Sequence, residues 1–285
     1  MQELAPHIYI ETAYAGVTLG AINWQHGLVL IDSPFRQEDA RSWRSALLNL
    51  GGGVDRLLIN LDAHLDRTLG ARNMDCTVVG HEKTAAVFRN RPANFKPQGY
   101  ETGSDWELHN GLGSVRWAPP EITFTERMLI QWNESPLVLE THPGPSSGAI
   151  WAVLPEQRIL LVGDAVVIHQ PPFLSAADLP AWIQQLERLL SPDYREYLLI
   201  SGRGGLVAQQ QVREMLQFLQ KTHELLTPLI ARGAAPEETE ALVPQLAALL
   251  HAPGDHEAQH TQRLRYGLRR YLIRHTSGQP EDNEE

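Results

Sequence analysis

Asn60-Leu61-Asp62-Ala63-His64-Leu65-Asp66-Arg67 is the stretch on which the reading of this chain turns. It follows Arg56 to Asn60, a brief apolar run typical of a buried strand. Ionisable side chains crowded into the turn that leaves such a strand stand at the edge of a sheet, where polar residues from several strands can converge on one site. Three further segments repeat the arrangement, each behind an apolar strand: Thr141-His142-Pro143-Gly144-Pro145-Ser146-Ser147-Gly148, Leu161-Val162-Gly163-Asp164-Ala165 and Ser201-Gly202-Arg203-Gly204-Gly205.

Outward from these segments, the first third reads as a meander of strands at Ile8 to Glu11, Thr18 to Trp24 and Leu28 to Asp32, rich in β-branched and aromatic residues. Gln37 to Leu48 has helical apolar spacing and ends at Gly51-Gly52-Gly53. Strands are predicted again at Thr77 to Gly80, Leu137 to Thr141, Ala149 to Val153 and Ile159 to Gly163, with a helix from Glu82. Arg89 to Glu126, rich in Pro, Gly, Asn and Trp, reads as one long surface loop. After Gly204-Gly205, the residues Val212, Met215, Leu216, Leu219, Leu226, Leu229 and Ile230 recur at helical spacing, with Pro228 expected to kink or divide the helix. Gly233 closes that segment, Pro236 opens another, and Leu264, Leu268, Tyr271 and Leu272 mark a last amphipathic helix before an acidic, disordered end at Glu281 to Glu285. Residues 1–205 are thus expected to form the main domain, and 206–285 a helical extension packed on it.

In order and spacing the four polar segments resemble the metallo-β-lactamase superfamily, whose motifs are HxHxDH after a strand, a PGH turn, a GD pair and a final GH. Gly20-Ala21-Ile22-Asn23, Val29-Leu30-Ile31-Asp32 and Thr123-Phe124 extend the resemblance, which covers roughly residues 7 to 205. It implies an α/β (α+β) fold: a four-layer αβ/βα sandwich. It also implies a dinuclear zinc site that activates a bridging water. Carried over position by position, the HxHxDH ligands fall on Asp62, His64, Asp66 and Arg67, the PGH histidine on Pro145, the bridging aspartate on Asp164, and the final histidine on Arg203. Only His64, Asp66 and Asp164 keep the family residue.

Those substitutions change the chemistry. Asp62, His64 and Asp164 admit at most a single weak zinc site, since a carboxylate oxygen also ligates zinc. The second metal position has guanidinium groups where imidazoles belong, and arginine stays protonated with no lone pair to offer. Two unit charges ~4 Å apart interact by about 4 kcal/mol at an effective dielectric of 20, and a divalent ion doubles that repulsion. A complete structural zinc site supplies ~10–16 kcal/mol, out of reach for two or three ligands. No metal cofactor is therefore expected. Arg67 and Arg203 are instead expected to neutralise Asp66, Asp164 and Asp62 as bidentate ion pairs.

Plainer roles compete for single residues. His64 reads first as a hydrogen-bonded structural histidine, and His142 and His169 as ordinary ones. Ser146 and Ser147 lack a nucleophile elbow. Gly202 to Gly205 reads as a structural turn before a phosphate cradle. Arg263, Arg265, Arg269, Arg270 and Arg274 read as the solvated face of a helix.

The formal net charge of -10 argues against a nucleic-acid surface. The single Cys76 excludes an internal disulfide and a multi-cysteine zinc cluster. No segment approaches the ~20 apolar residues of a membrane span, so a soluble, cytoplasmic protein is expected. The leading functional expectation is a member that has lost dinuclear zinc hydrolysis and keeps a pocket for a small molecule or a partner, with the helical extension covering that pocket or forming a homodimer contact. The enzymatic alternative is a hydrolase of an ester, lactone or thioester that uses one metal, or none with arginines stabilising an oxyanion.

Overall fold

The computed structural model describes residues 1–96, 102–109, 112–113, 115–250 and 254–277. The predicted disordered end, Glu281 to Glu285, lies outside them. In the first half the strands are β1 (Gln2–Ala5), β2 (Ile8–Glu11), β3 (Leu19–Asn23), β4 (Gly27–Ile31), β5 (Asp55–Ile59) and β6 (Thr77–His81). Between them lie helices α1 (Gln37–Leu47) and α2 (Leu65–Thr68), with α3 (Glu82–Asn90) after β6. There follow β7 (Asn94–Phe95), β8 (Val115–Arg116), β9 (Ile122–Phe124), β10 (Arg127–Ile130), β11 (Leu137–Thr141), β12 (Ile150–Leu154) and β13 (Ile159–Val167). The chain continues through α4 (Leu179–Leu189), β14 (Leu198–Arg203), β15 (Gly205–Val207), α5 (Gln209–Ala231), α6 (Val243–Ala247) and α7 (Glu257–Ser277).

Two sheets carry the fold. One runs in the order β1-β2-β3-β4-β5-β6-β9, the other β10-β11-β12-β13-β14-β15. Pairing is antiparallel wherever a short turn joins neighbours. It is parallel at β4–β5, β5–β6, β6–β9 and β13–β14, where longer connections containing helices intervene. Alternation along β4 explains the layering. Val29 and Ile31 point between the sheets with Ile8, Ile22 and Ile59, against Leu139, Ile150, Ala152 and Leu161 of the second sheet. Leu28 and Leu30 point the other way, onto Ala40, Trp43 and Leu47 of α1. Buried on both faces, β4 therefore reads as an unbroken apolar run.

On the far side, Val138, Val153, Leu160, Val162 and Val166 of the second sheet pack against Trp182 and Leu186 of α4, Val212, Met215 and Leu219 of α5, and Leu264, Leu268 and Leu272 of α7. The result is the four-layer αβ/βα sandwich, helices outside and sheets within. The last helices and the second sheet thus share one apolar core.

Three local expectations need correction. The segment Arg89 to Glu126 is not one loop: among its described residues it carries β7, β8 and β9, and β9 completes the edge of the first sheet. Pairs two or three residues long leave too little periodicity to read. Helix α5 is not divided by Pro228, which lies in its last turns, where the missing N–H costs one bond and packing of Leu226 holds the helix. Arg263 is not on the solvated face of α7 but is 1% exposed, whereas Arg265 and Arg269 are exposed and pair with Glu240 and Glu237.

Candidate functional site

The site lies where β5, β11 and β14 end and β13 bulges. Asp62 and His64 occupy the turn after β5, and the His64 Nδ1 caps α2 by accepting the Asp66 N–H at 3.2 Å. That one turn places Asp66 and Arg67 inside, each fully buried. Asp164 comes from a bulged part of β13: Gly163 pairs with Ser201 but Val167 with Arg203, so β13 spends extra residues there and its carboxylate is aimed inward. Arg203 ends β14. Pro145 comes from the turn after β11 and lines a pocket with Asp62, His64 and Asp164. All seven matched positions are therefore brought to one region.

The two arginines occupy its centre. Arg67 donates from Nη2 to Asp164 Oδ1 and from Nη1 to Asp32 Oδ2 at 3.3 Å, and its Nε lies 3.2 Å from Asp62 Oδ1. Its guanidinium lies against Gly202, where a Cβ would come within 2.8 Å of Nη1 and Nη2, so only glycine leaves room for it. Arg203 donates from Nε to Asp164 Oδ2 at 3.0 Å, and from Nη1 to Asp66 Oδ2 at 2.7 Å and the Gly16 carbonyl at 2.8 Å. Its Nη2 lies 2.8 Å from His64 Nδ1. Arginine only donates, so His64 Nδ1 accepts and the imidazole keeps its proton on Nε2.

Asp66 is saturated. Its Oδ1 accepts the Trp106 N–H at 2.8 Å and its Oδ2 the Asp105 N–H at 3.2 Å, besides Arg203. It thereby ties the 102–108 segment to the site. Asp105 Oδ2 in turn lies 3.4 Å from Arg203 Nη1 and 3.3 Å from Arg263 Nη2. Arg263 reaches in from α7, bonding the Gly103 carbonyl at 2.8 Å and Gln170 at 2.6 Å. The Phe173 ring centroid is 4.6 Å from the Arg203 guanidinium carbon and 4.1 Å from that of Arg263.

Burial and these charges set the protonation. Burial pushes the Asp32 carboxyl up to about 7 in spite of Arg67. Burial also raises Asp62 and Asp66 against the pull of Arg67 and Arg203. Asp164, held by both arginines, ends below the usual carboxylate value although burial alone would raise it. Burial, then Arg203 and Arg67, holds His64 well below the ordinary imidazole value, so it is neutral at pH 7. Arg263 falls to about 10 through burial and the neighbouring Arg203, and stays charged.

Beside the cluster opens a pocket of about 470 Å³ including its mouth, walled by Asp62, His64 and Asp164, by Phe173 and Trp182, and by Ser146 and Arg91. His142 lies elsewhere, stacked on Trp151 at 3.6 Å with Nδ1 2.8 Å from Gln185. His169 lines a separate hollow with Glu214 and Phe218. Among the described residues, no group of three or more His, Cys, Asp and Glu side chains is arranged to hold a metal ion.

Asp32, Asp105, Phe173 and Arg263 were missed as site residues. For Arg263 a signal existed: it falls on the same helical stripe as Leu264, Gly267, Leu268 and Tyr271, where a solvated residue does not belong. Asp32 follows β4 inside a quoted motif, but nothing local says that it meets Arg67.

A family model described as the metallo-beta-lactamase superfamily matches residues 69–201. A metallo-beta-lactamase family protein from Thermus thermophilus is 19% identical with a TM-score of 0.64, covering 97% of this chain and 95% of that one. A metallo-beta-lactamase from Pontibacter korlensis is also 19% identical, with a TM-score of 0.58 over 77% of this chain and 97% of that one. The stereoselective inverting sec-alkylsulfatase Pisa1 from Pseudomonas sp. is 16% identical, with a TM-score of 0.65. It matches 99% of this chain, which spans half of that one. No curated protein matches. At these identities the likeness to solved structures is one of fold.

Proposed function

We propose that this chain is a member of the metallo-β-lactamase superfamily, which its fold and the partial family match support, that an arginine–carboxylate cluster has replaced the dinuclear metal centre, and that the adjoining pocket binds a small molecule without hydrolysing it. One observation carries the reading. Asp164 stands at the bridging position, and both of its oxygens are taken, Oδ1 by Arg67 and Oδ2 by Arg203. A zinc ion at either position would have to displace a guanidinium that is already fully buried and paired.

The residues present do not fit the metals. Arg67 and Arg203 stand at two ligand positions without a lone pair, Pro145 at a third, and the retained Asp66 is bound by two backbone N–H groups and Arg203. The surviving His64 accepts at Nδ1 from Arg203 and the Asp66 amide. The same saturation weakens the metal-free hydrolase reading, because an oxyanion needs donors aimed at it and those of both arginines point at carboxylates.

Calorimetric zinc titration of the untagged chain, with an ester, lactone and thioester panel assayed with zinc and with chelator, tests the reading. No saturable zinc binding and no turnover is expected. Saturable binding with hydrolysis lost in His64→Ala would overturn it.

A further inference from the structure

Five carboxylates, Asp32, Asp62, Asp66, Asp105 and Asp164, meet three buried guanidiniums, those of Arg67, Arg203 and Arg263. Arg91 stands on the pocket wall. The carboxylate oxygens are not all engaged alike. Asp164 and Asp66 have both oxygens engaged. Asp32 receives the Leu61 N–H at Oδ1 and Arg67 at Oδ2. Asp105 receives Gln259 at Oδ1 and both Arg203 and Arg263 at Oδ2. Asp62 differs: its Oδ1 takes the His64 N–H at 2.8 Å and faces Arg67 Nε, but among the described residues no donor reaches Oδ2.

Asp62 lines the pocket, and so does Ser146, whose Oγ is buried with no hydrogen-bond partner among the described residues. An open carboxylate oxygen and a buried unpaired hydroxyl thus border one cavity. The other walls are aromatic and apolar, from Phe173, Trp182, Pro145 and Ala176. The Arg91 guanidinium is drawn aside, onto the Ala63 carbonyl at 2.9 Å and the rings of Trp117 at 4.7 Å and Phe88 at 4.9 Å.

Resting on the metal-free reading, we propose that this pocket binds small molecules carrying a primary ammonium group on an apolar body, the ammonium donating to Asp62 Oδ2 and Ser146 Oγ and the body lying against Phe173 and Trp182. An ammonium has three donors and no acceptor, which matches the open Asp62 oxygen and the Ser146 hydroxyl, with the third donor left to water at the mouth. A carboxylate in the same place would face Asp62 and is disfavoured.

The test is calorimetric titration of the full chain with benzylamine, benzyl alcohol and benzoate, on samples whose zinc content is measured by mass spectrometry. Saturable benzylamine binding is expected, at least tenfold tighter than the other two. Asp62→Asn should weaken it tenfold or more, and Ser146→Ala severalfold. Should Asp62→Asn fail to fold, Ser146→Ala decides, because Ser146 makes none of the cluster's bonds. Tighter binding of benzoate, binding of none of the three, or benzylamine binding unchanged in both variants would overturn the proposal. Zinc in the sample would instead overturn the metal-free reading, whereas zinc-free protein that ignores benzylamine overturns only this one.

Discussion

At the scale of single residues, the two buried guanidiniums have a calculable consequence. A metal centre supplies charge that can be removed by a chelator; Arg67 and Arg203 supply it covalently, through the chain itself. Removing one of them strands buried carboxylates, which typically costs ~3–5 kcal/mol. Arg67→Met and Arg203→Met are therefore each expected to lower stability by about that amount in urea unfolding. Arg67→Lys should recover little of it, because one ammonium cannot span Asp32, Asp62 and Asp164. Asp32 gives a pH test. Its folded value of about 7 lies above the unfolded value of ~3.9, so the folded state binds the extra proton between them. The contribution is full below pH ~4 and is lost as pH rises through 7, on the order of 4 kcal/mol at most. The wild-type chain should accordingly be more stable relative to Asp32→Asn at pH 5 than at pH 8; equal differences at the two pH values would contradict the protonation described. The pairing of Arg67 and Arg203 with Asp62, Asp66 and Asp164 was legible from motif order alone. Asp105 was not, because its part in the cluster depends on a segment without periodicity being folded back onto Asp66.

At the scale of elements, short apolar runs were the most legible, and β5, β11 and β12 fall within a residue of their expected bounds. The extension of β13 to Val167 was not, since the bulge that aims Asp164 breaks the period on which a strand is recognised. Helix α7 matters to the site through one side chain. Arg263 joins the 102–108 segment to Gln170 and Pro171, and the two pieces of chain meet closely at Gly103, whose φ is +77°. A Cβ there would come within 2.7–2.8 Å of the Arg263 backbone. Gly103→Ala is thus expected to cost roughly 1–3 kcal/mol, from strain and overpacking together. Hydrogen exchange should show faster exchange in α7 and around Asp105, with the protection of β4 and β12 unchanged.

At the scale of the whole molecule, α5, α6 and α7 cover the outer face of the second sheet and share its core, leaving Val138, Val153, Leu160 and Val162 dependent on them for burial. The full chain is expected to unfold in a single urea transition, and a chain ended after Val207 to aggregate; independent folding of residues 1–205 would show that those helices are an appendage. Across the molecule as a whole, the sandwich edge is held by fixed charges of both signs. Metal content per chain tests that most directly, measured by mass spectrometry on untagged protein purified without chelator, before and after dialysis against zinc and desalting. The arginine–carboxylate cluster predicts far less than one metal ion per chain in both samples; near-stoichiometric zinc that survives desalting would contradict it.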